Sequence, residues 1–193
     1  REMPEKKIIK VNKTSSEVAE AAINLGAGMV DEVSGGEDDD KMMNLVAKHN
    51  LYYCIMHMQG SPKTMQDNPE YKNVVHEIID FLKSQSKKAI QNGVNQDKII
   101  LDPGIGFGKK TEHNLEILKN LKEFTNLGYH TLLGTSRKRI FGEISGKNNP
   151  ADRVSGTCAT SALGVMSGIK IYRVHDVWQN KQAIDIAYAI KNI

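Results

Sequence analysis

Only two cysteines occur in 193 residues, and neither stands at metal-ligand spacing from a partner. Cys54 and Cys158 each lie inside an apolar segment, which reads as two buried thiols in a reducing compartment rather than a disulfide framework. No apolar run approaches the length of a membrane span and no secretory leader pattern is visible, so the sequence reads as cytoplasmic. An excess of one charge is missing too. With 26 basic and 23 acidic residues the formal charge is +3, too small for the global field to suggest nucleic-acid binding, so any anion site must be local. Internal repeats, low-complexity tracts and composition shifts are absent, and residues 1–193 read as one domain. The chain is nonetheless shorter than the ~250 residues typical of a complete (β/α)8 barrel.

What the sequence does contain is alternation. Short apolar runs predict strands at 7–11, 27–33, 52–58, 98–102, 129–135 and 169–176. Between and after them, apolar residues at three- and four-residue spacing predict helices over 15–25, 39–49, 70–93, 112–125, 150–167 and 179–192. Gly26, Gly93, Gly128 and Gly168 fall at or just after four helix ends, where a left-handed cap is expected. Strand-then-helix repetition implies a parallel sheet with right-handed crossovers, open or closed into a barrel. Periodicity does not choose between the two; the clustering of polar residues at the carboxyl ends of successive strands favours the (β/α)8 TIM barrel.

Four stretches carry candidate chemistry. In DPGIGFGKK (102–110), Asp102 ends a strand, where an acid often does no more than cap a turn. The three following glycines permit positive φ and close backbone approach by a flat or phosphorylated ligand, and Phe107 between them suggests a stacking partner. This is neither the dinucleotide fingerprint nor a P-loop. GTSRKR (134–139) leaves the fifth strand; three consecutive basic residues are usually a solvated loop, but here one can lean over the barrel mouth, and sequence alone does not separate Lys138 from Arg137. In RVHD (173–176), Arg173 and His175 lie on one side of an extended chain and together suit an anion clamp. MHMQGSPKTMQ (56–66) runs from a strand into a polar loop; its methionines suit gap-filling, and a metal role for His57 is weakly supported.

Taken in order, MHMQGSPKTMQ, DPGIGFGK, GTSRKR, RVSGT and RVHDV resemble the dihydropteroate synthase family from about residue 8 onward. The resemblance implies a (β/α)8 barrel and a transferase of folate biosynthesis. Such enzymes condense p-aminobenzoate with 6-hydroxymethyl-7,8-dihydropterin pyrophosphate and release pyrophosphate, with sulfonamides competing on the benzoate side. It further implies catalytic roles for Asp102, Lys138, Arg173 and His175. Pterin contacts would come from Asn12, Asp31, Met56, Asp102, Gly134 and Lys138, benzoate contacts from Phe107, Ser136 and Lys138, and pyrophosphate contacts from Arg173 and His175. Mg²⁺ as cofactor, small-molecule substrates as the only other partners and a homodimer through helices near the C-terminal end are also implied.

Two departures from the family pattern stand out. Its first two strands, one bearing the Asn that helps to hold the metal, have no counterpart, so the six strands here correspond to its third to eighth and no metal ligand is visible. In addition, the Asp expected on the third family strand is Asn12 and the Asn expected on the fourth is Asp31, an exchange that keeps the number of carboxylates. Lys13 follows Asn12 where Thr is expected. A non-catalytic or impaired pterin-binding remnant and a methyltetrahydrofolate-binding methyltransferase are the competing readings; Ser136, Arg137 and Lys138 argue against the second.

Overall fold

The structure is a computed structural model describing residues 9–12, 16–32, 40–61 and 64–193, with the side chains of 9–12, 32 and 40 outside the description. Lys13 lies outside the described residues. Six strands, β1 (Ile9–Asn12), β2 (Ala27–Glu32), β3 (Tyr52–Met56), β4 (Ile99–Asp102), β5 (His130–Leu133) and β6 (Ile171–Tyr172), form one sheet in chain order. Every neighbouring pair is parallel. The helices are α1 (Ser16–Asn24), α2 (Asp40–Lys48), α3 (Val74–Gln91), α4 (Thr111–Lys119), α5 (Leu121–Thr125), α6 (Arg139–Ser145), α7 (Val154–Ser167) and α8 (Val177–Lys191).

Local chemistry accounts for the better-defined boundaries. The Asn73 side chain accepts the His76 N–H at the start of α3, while Glu77 accepts the N–H groups of Lys72 and Asn73. Val74, Val75, Ile78, Ile79, Leu82 and Ala89 then form its buried face at helical spacing. The four helix-ending glycines all have positive φ, as expected. Four features differ from expectation. The helix expected over 112–125 is two, broken at Asn120, and α7 is preceded by a 3-10 turn over Pro150–Arg153. A seven-residue helix, α6, is too short for periodicity to reveal. The last strand ends at Tyr172, so the extended run through 176 that placed Arg173 and His175 on one face does not form.

The sheet has two apolar faces with different partners. Val30, Tyr53, Ile55, Ile99, Leu101 and Leu133 pack against the helices in the main core. Met29, Cys54, Ile100 and Leu132, with Tyr52 and Ile171 against them, form a smaller cluster on the other face. Side chains alternate along a strand, so two residues beyond each member of that cluster lies another residue on the same face. Those residues are Asp31, Met56 and Asp102 in β2, β3 and β4; Gly134 follows β5 directly, and Arg173 follows β6 with its N–H bonded to the Leu133 carbonyl. A flat sheet would hold β2 and β6 about 19 Å apart at ~4.8 Å per strand. Arg173 nevertheless reaches Asp31 at 2.7 Å, so the sheet curls with this face concave. Small residues on α7 permit close packing outside β5 and β6: a Cβ on Gly164 would meet Tyr172 at 3.0 Å and Leu133 at 3.1 Å. Among the described residues no helix is long and apolar enough to cross a membrane.

Two glycines in the turn after β4, Gly104 and Gly108, are fixed by space as well as by dihedral angle. At Gly104 φ is +69°, and an added Cβ would stand 1.9 Å from the His57 carbonyl oxygen. Gly128 has φ +84° with nothing near its missing Cβ. Gly128→Ala in the intact protein should therefore cost only the left-handed strain of about 1–2 kcal/mol. Gly104→Ala should lower the thermal midpoint by clearly more, because strand exits must separate; equal midpoints would contradict this packing.

Candidate active site

Asp31 and Asp102 are both buried at the concave strand ends, 1% and 0% exposed. Arg173, immediately after β6, supplies the counter-charge: Nη1 lies 2.7 Å from Asp31 Oδ2 and Nη2 lies 3.1 Å from Asp102 Oδ2. The other Asp102 oxygen, Oδ1, accepts the Gly104 N–H at 2.7 Å. Asp102 thus both caps its turn and faces the site, so the two sequence readings describe different oxygens of one carboxylate. Burial raises the Asp102 pKa and Arg173 opposes the rise. For Arg173, burial acts downward, but Asp102 and Asp31 outweigh it and hold the guanidinium charged. Cys54, beside Asp31 in register, has its thiol pushed well up by burial and then by the two carboxylates, so it is a packing residue rather than a nucleophile.

Gly134 opens space for this arrangement. A Cβ there would fall 2.7 Å from Arg173 Nη2, so the planar group lying against its main chain here is the guanidinium. Met56, 1% exposed, pairs with Asp102 in strand register and floors the same layer. Asn12 stands opposite Asp31 in the β1–β2 register; its side chain lies outside the described residues.

The turn after β4 and the loop after β5 meet above this layer. Lys138 Nζ lies 4.0 Å from the centroid of the Phe107 ring, a cation–π contact at half-buried positions. Burial lowers the Lys138 pKa while Asp102 partly restores it. Arg137 turns the other way, with φ +55° and a two-point contact to Asp176 whose Nε–Oδ2 leg is 2.9 Å. Of the two basic residues that the sequence does not separate, Lys138 thus meets Phe107 and Arg137 is held by Asp176. Ser136 Oγ accepts the His175 N–H at 2.9 Å and bonds His175 Nδ1 at 2.8 Å. Ser136 and His175 form one pair, while Phe107 and Lys138 form another.

Several site-forming residues gave no sequence signal. Gln66 donates to the Gly106 carbonyl and Tyr71 to the Gly108 carbonyl, fastening the turn from the loop after β3. Gln66, Gly106, Lys109, Thr111, Asn114, Lys138, Arg139 and Ile140 enclose a cavity of about 190 Å³ beside Phe107. These contacts join positions up to 73 residues apart, such as Arg139 and Gln66, which no local pattern registers. Among the described residues no group of three or more His, Cys, Asp or Glu converges. With Asp31 and Asp102 facing Arg173 and His175 bonded to Ser136, these side chains do not fit a protein-held Mg²⁺.

Removing the shared cation should expose the cost of two buried carboxylates. Arg173→Met is expected to destabilise the intact protein by roughly 3 kcal/mol, the low end for a broken buried pair because the guanidinium is partly solvated. Without Arg173 the Asp102 pKa, already raised by burial, lies further above the unfolded value, so the native state binds extra protons and its deficit shrinks as pH falls. Urea unfolding at pH 8 and pH 5 checks this: a larger wild-type-to-variant gap at pH 5 would contradict it.

A model of the family described as pterin binding enzyme matches residues 2–175. Dihydropteroate synthase from Haemophilus influenzae is 37% identical over 185 residues, covering 95% of this chain and 66% of the relative. That from Clostridium beijerinckii is 41% identical over 177 residues, 91% of this chain and 62% of the relative. The chain thus spans a little under two thirds of these two relatives. Among solved structures, dihydropteroate synthase from Thermus thermophilus in complex with 4-aminobenzoate superposes with a TM-score of 0.90 at 41% identity, over 95% of this chain and 70% of that one. The Yersinia pestis enzyme in complex with a sulfonamide drug gives 0.93 at 31%, over 97% and 68%. The family match spans the curled parallel sheet together with Asp31, Asp102, Gly134 and Arg173, and the chain belongs to the pterin-binding enzyme family.

Proposed function

We propose that the chain is the larger part of a dihydropteroate synthase, a transferase that joins p-aminobenzoate to 6-hydroxymethyl-7,8-dihydropterin pyrophosphate. The observation that carries this reading is the pair of buried acids, Asp31 and Asp102, sharing Arg173 next to the Phe107–Lys138 stack. A pterin presents an amino-pyrimidinone edge, a neutral relative of guanidinium, and carboxylates that already hold a guanidinium have the acceptors for it. Solved relatives from Thermus thermophilus carry 4-aminobenzoate and 6HMPPP, which supports the same substrate pair here.

In this reading the aniline nitrogen bonds to the pterin's exocyclic methylene carbon as the C–O bond to diphosphate breaks. The electron pair leaves with the diphosphate, and the nitrogen loses a proton to solvent. Asp102 offsets positive charge spreading into the pterin ring, and Lys138 lies between the two ring sites with Phe107 on the benzoate side. Arg173 and His175 would receive the diphosphate, with the His175 ring fixed by Ser136, which is also assigned to the benzoate side. The family's Mg²⁺ has no ligand set among the described side chains, and no step above uses it.

The six strands would be the third to eighth of an eight-stranded barrel, in keeping with the share of the relatives covered. A homodimer is proposed on the α7–α8 face, where Leu163, Met166, Ile186 and Ile190 are exposed beside an apolar groove. Cytoplasmic location completes the reading. The methyltransferase alternative gains no support from the Phe107–Lys138 pair, whereas a non-catalytic remnant would bind pterin without turnover.

Two measurements test the assignment. Asp102→Asn should lower kcat/KM by about 10²–10³ with pterin pyrophosphate and p-aminobenzoate, as for loss of one preorganised electrostatic partner; a loss under tenfold removes Asp102 from the chemistry. Calorimetry on Asn12→Asp with Asp31→Asn should give pterin pyrophosphate affinity within about threefold of wild type if the exchange is compensated. A large gain would show that the natural arrangement is impaired.

A further inference from the structure

The roles assigned above leave one buried charge unused. Lys109 is 1% exposed and among the largest fully buried side chains. Its Nζ donates to the carbonyls of Gly104 at 2.9 Å and Phe107 at 2.8 Å, and lies 3.0 Å from His57 Nδ1 and 3.3 Å from the His57 carbonyl. An ammonium has three N–H donors and no acceptor, and these partners use all three. The imidazole is the acceptor in its pair: burial and then the Lys109 charge lower the His57 pKa to about 3, and its ring packs edge-on against Phe81 at 5.0 Å.

The acceptors belong to two strand exits. His57 follows β3, whereas Gly104 and Phe107 lie in the turn after β4, which rests on the His57 carbonyl so closely that Gly104 has no room for a Cβ. Lys109 therefore passes beneath its own turn and ties it to the neighbouring strand. We propose that Lys109 is a positioning residue for the benzoate side of the site, its ammonium setting the height at which Phe107 stands against Lys138. The inference rests on the dihydropteroate synthase reading. Phe107 contributes both an acceptor to the tether and the ring beside Lys138, so loss of the tether moves that ring directly. Asp102 shares the Gly104 N–H with this turn but is also held within β4 and by Arg173, so the pterin side is affected less.

The tether also has a pH dependence. Asp102 from β4, His57 from the exit of β3 and Lys138 at the start of α6 are the titratable groups facing Lys109. Burial lowers the Lys109 pKa to about 7, partly offset by Asp102 and reinforced by Lys138. Loss of the proton leaves two N–H donors and a lone pair among acceptors, so benzoate-side affinity weakens as pH rises through that value.

The test compares the intact wild type with Lys109→Met, reading KM for each substrate, kcat and hydrogen exchange of the 103–110 backbone. The variant should raise KM for p-aminobenzoate about tenfold or more with kcat and pterin KM within about threefold, and exchange should quicken in 103–108. Unchanged p-aminobenzoate KM, or equal losses for both substrates tracking stability, overturns the proposal. Wild type that makes no dihydropteroate while the variant still quickens exchange sinks the functional reading and leaves the tether standing. If Lys109→Met does not fold, p-aminobenzoate affinity of the wild type from pH 6 to 9 decides: a decline through about 7 supports the tether, and a flat profile overturns it.

Discussion

Two carboxylates buried on the concave side of a parallel sheet demand a cation, and Arg173 is the group that answers. Asp31 ends β2, Asp102 ends β4 and Arg173 follows β6, so one guanidinium spans strand ends that a flat sheet would keep far apart. The curl of the sheet and the charge of the site are thus a single geometric fact. A buried ion cluster of this kind is not by itself a source of stability, since desolvation offsets most of the attraction. Its consequence is local: a water-poor mouth holding fixed charge of both signs, which suits binding a polar heterocycle with an anionic tail.

Around that centre the residues sort into two supporting groups. On one side the turn after β4 raises Phe107 to Lys138, and Lys109, Gln66 and Tyr71 fasten that turn from below and from the loop after β3. On the other, Ser136 holds His175 while Arg137 and Asp176 brace the exits of β5 and β6. Three glycines with positive φ let the turn lie close to its neighbour, and the hydrogen bonds to its carbonyls remove most of the freedom those glycines would otherwise confer. The outcome is an aromatic and a basic edge placed beside the acidic pair on rigid strand ends.

The exchange of amide and acid between Asn12 and Asp31 acquires a physical setting in this arrangement. With Asp31 as an acid, Arg173 has two carboxylates rather than one, and the guanidinium is held against Gly134. In the proposed function, pterin would compete with that guanidinium for the same oxygens, so the strength of this internal pair would bear on its affinity.

Much of this was legible in the residues themselves. Alternating apolar runs and helical spacing gave the six parallel strands, and period-two alternation is enough to put Asp31, Met56 and Asp102 on one face, because side-chain direction along a strand is a local property. Helix-ending glycines were equally local. Left to tertiary structure were matters depending on distant partners: that Arg137 is held away by Asp176 and Lys138 is not, that Ser136 belongs with His175, and that β6 stops before the clamp expected of it. Lys109 marks the boundary most plainly. Nothing in the string GFGKK distinguishes the first lysine from the second; only the curl that brings the exit of β3 beneath the turn makes one a buried three-donor tether and leaves the other at the start of α4.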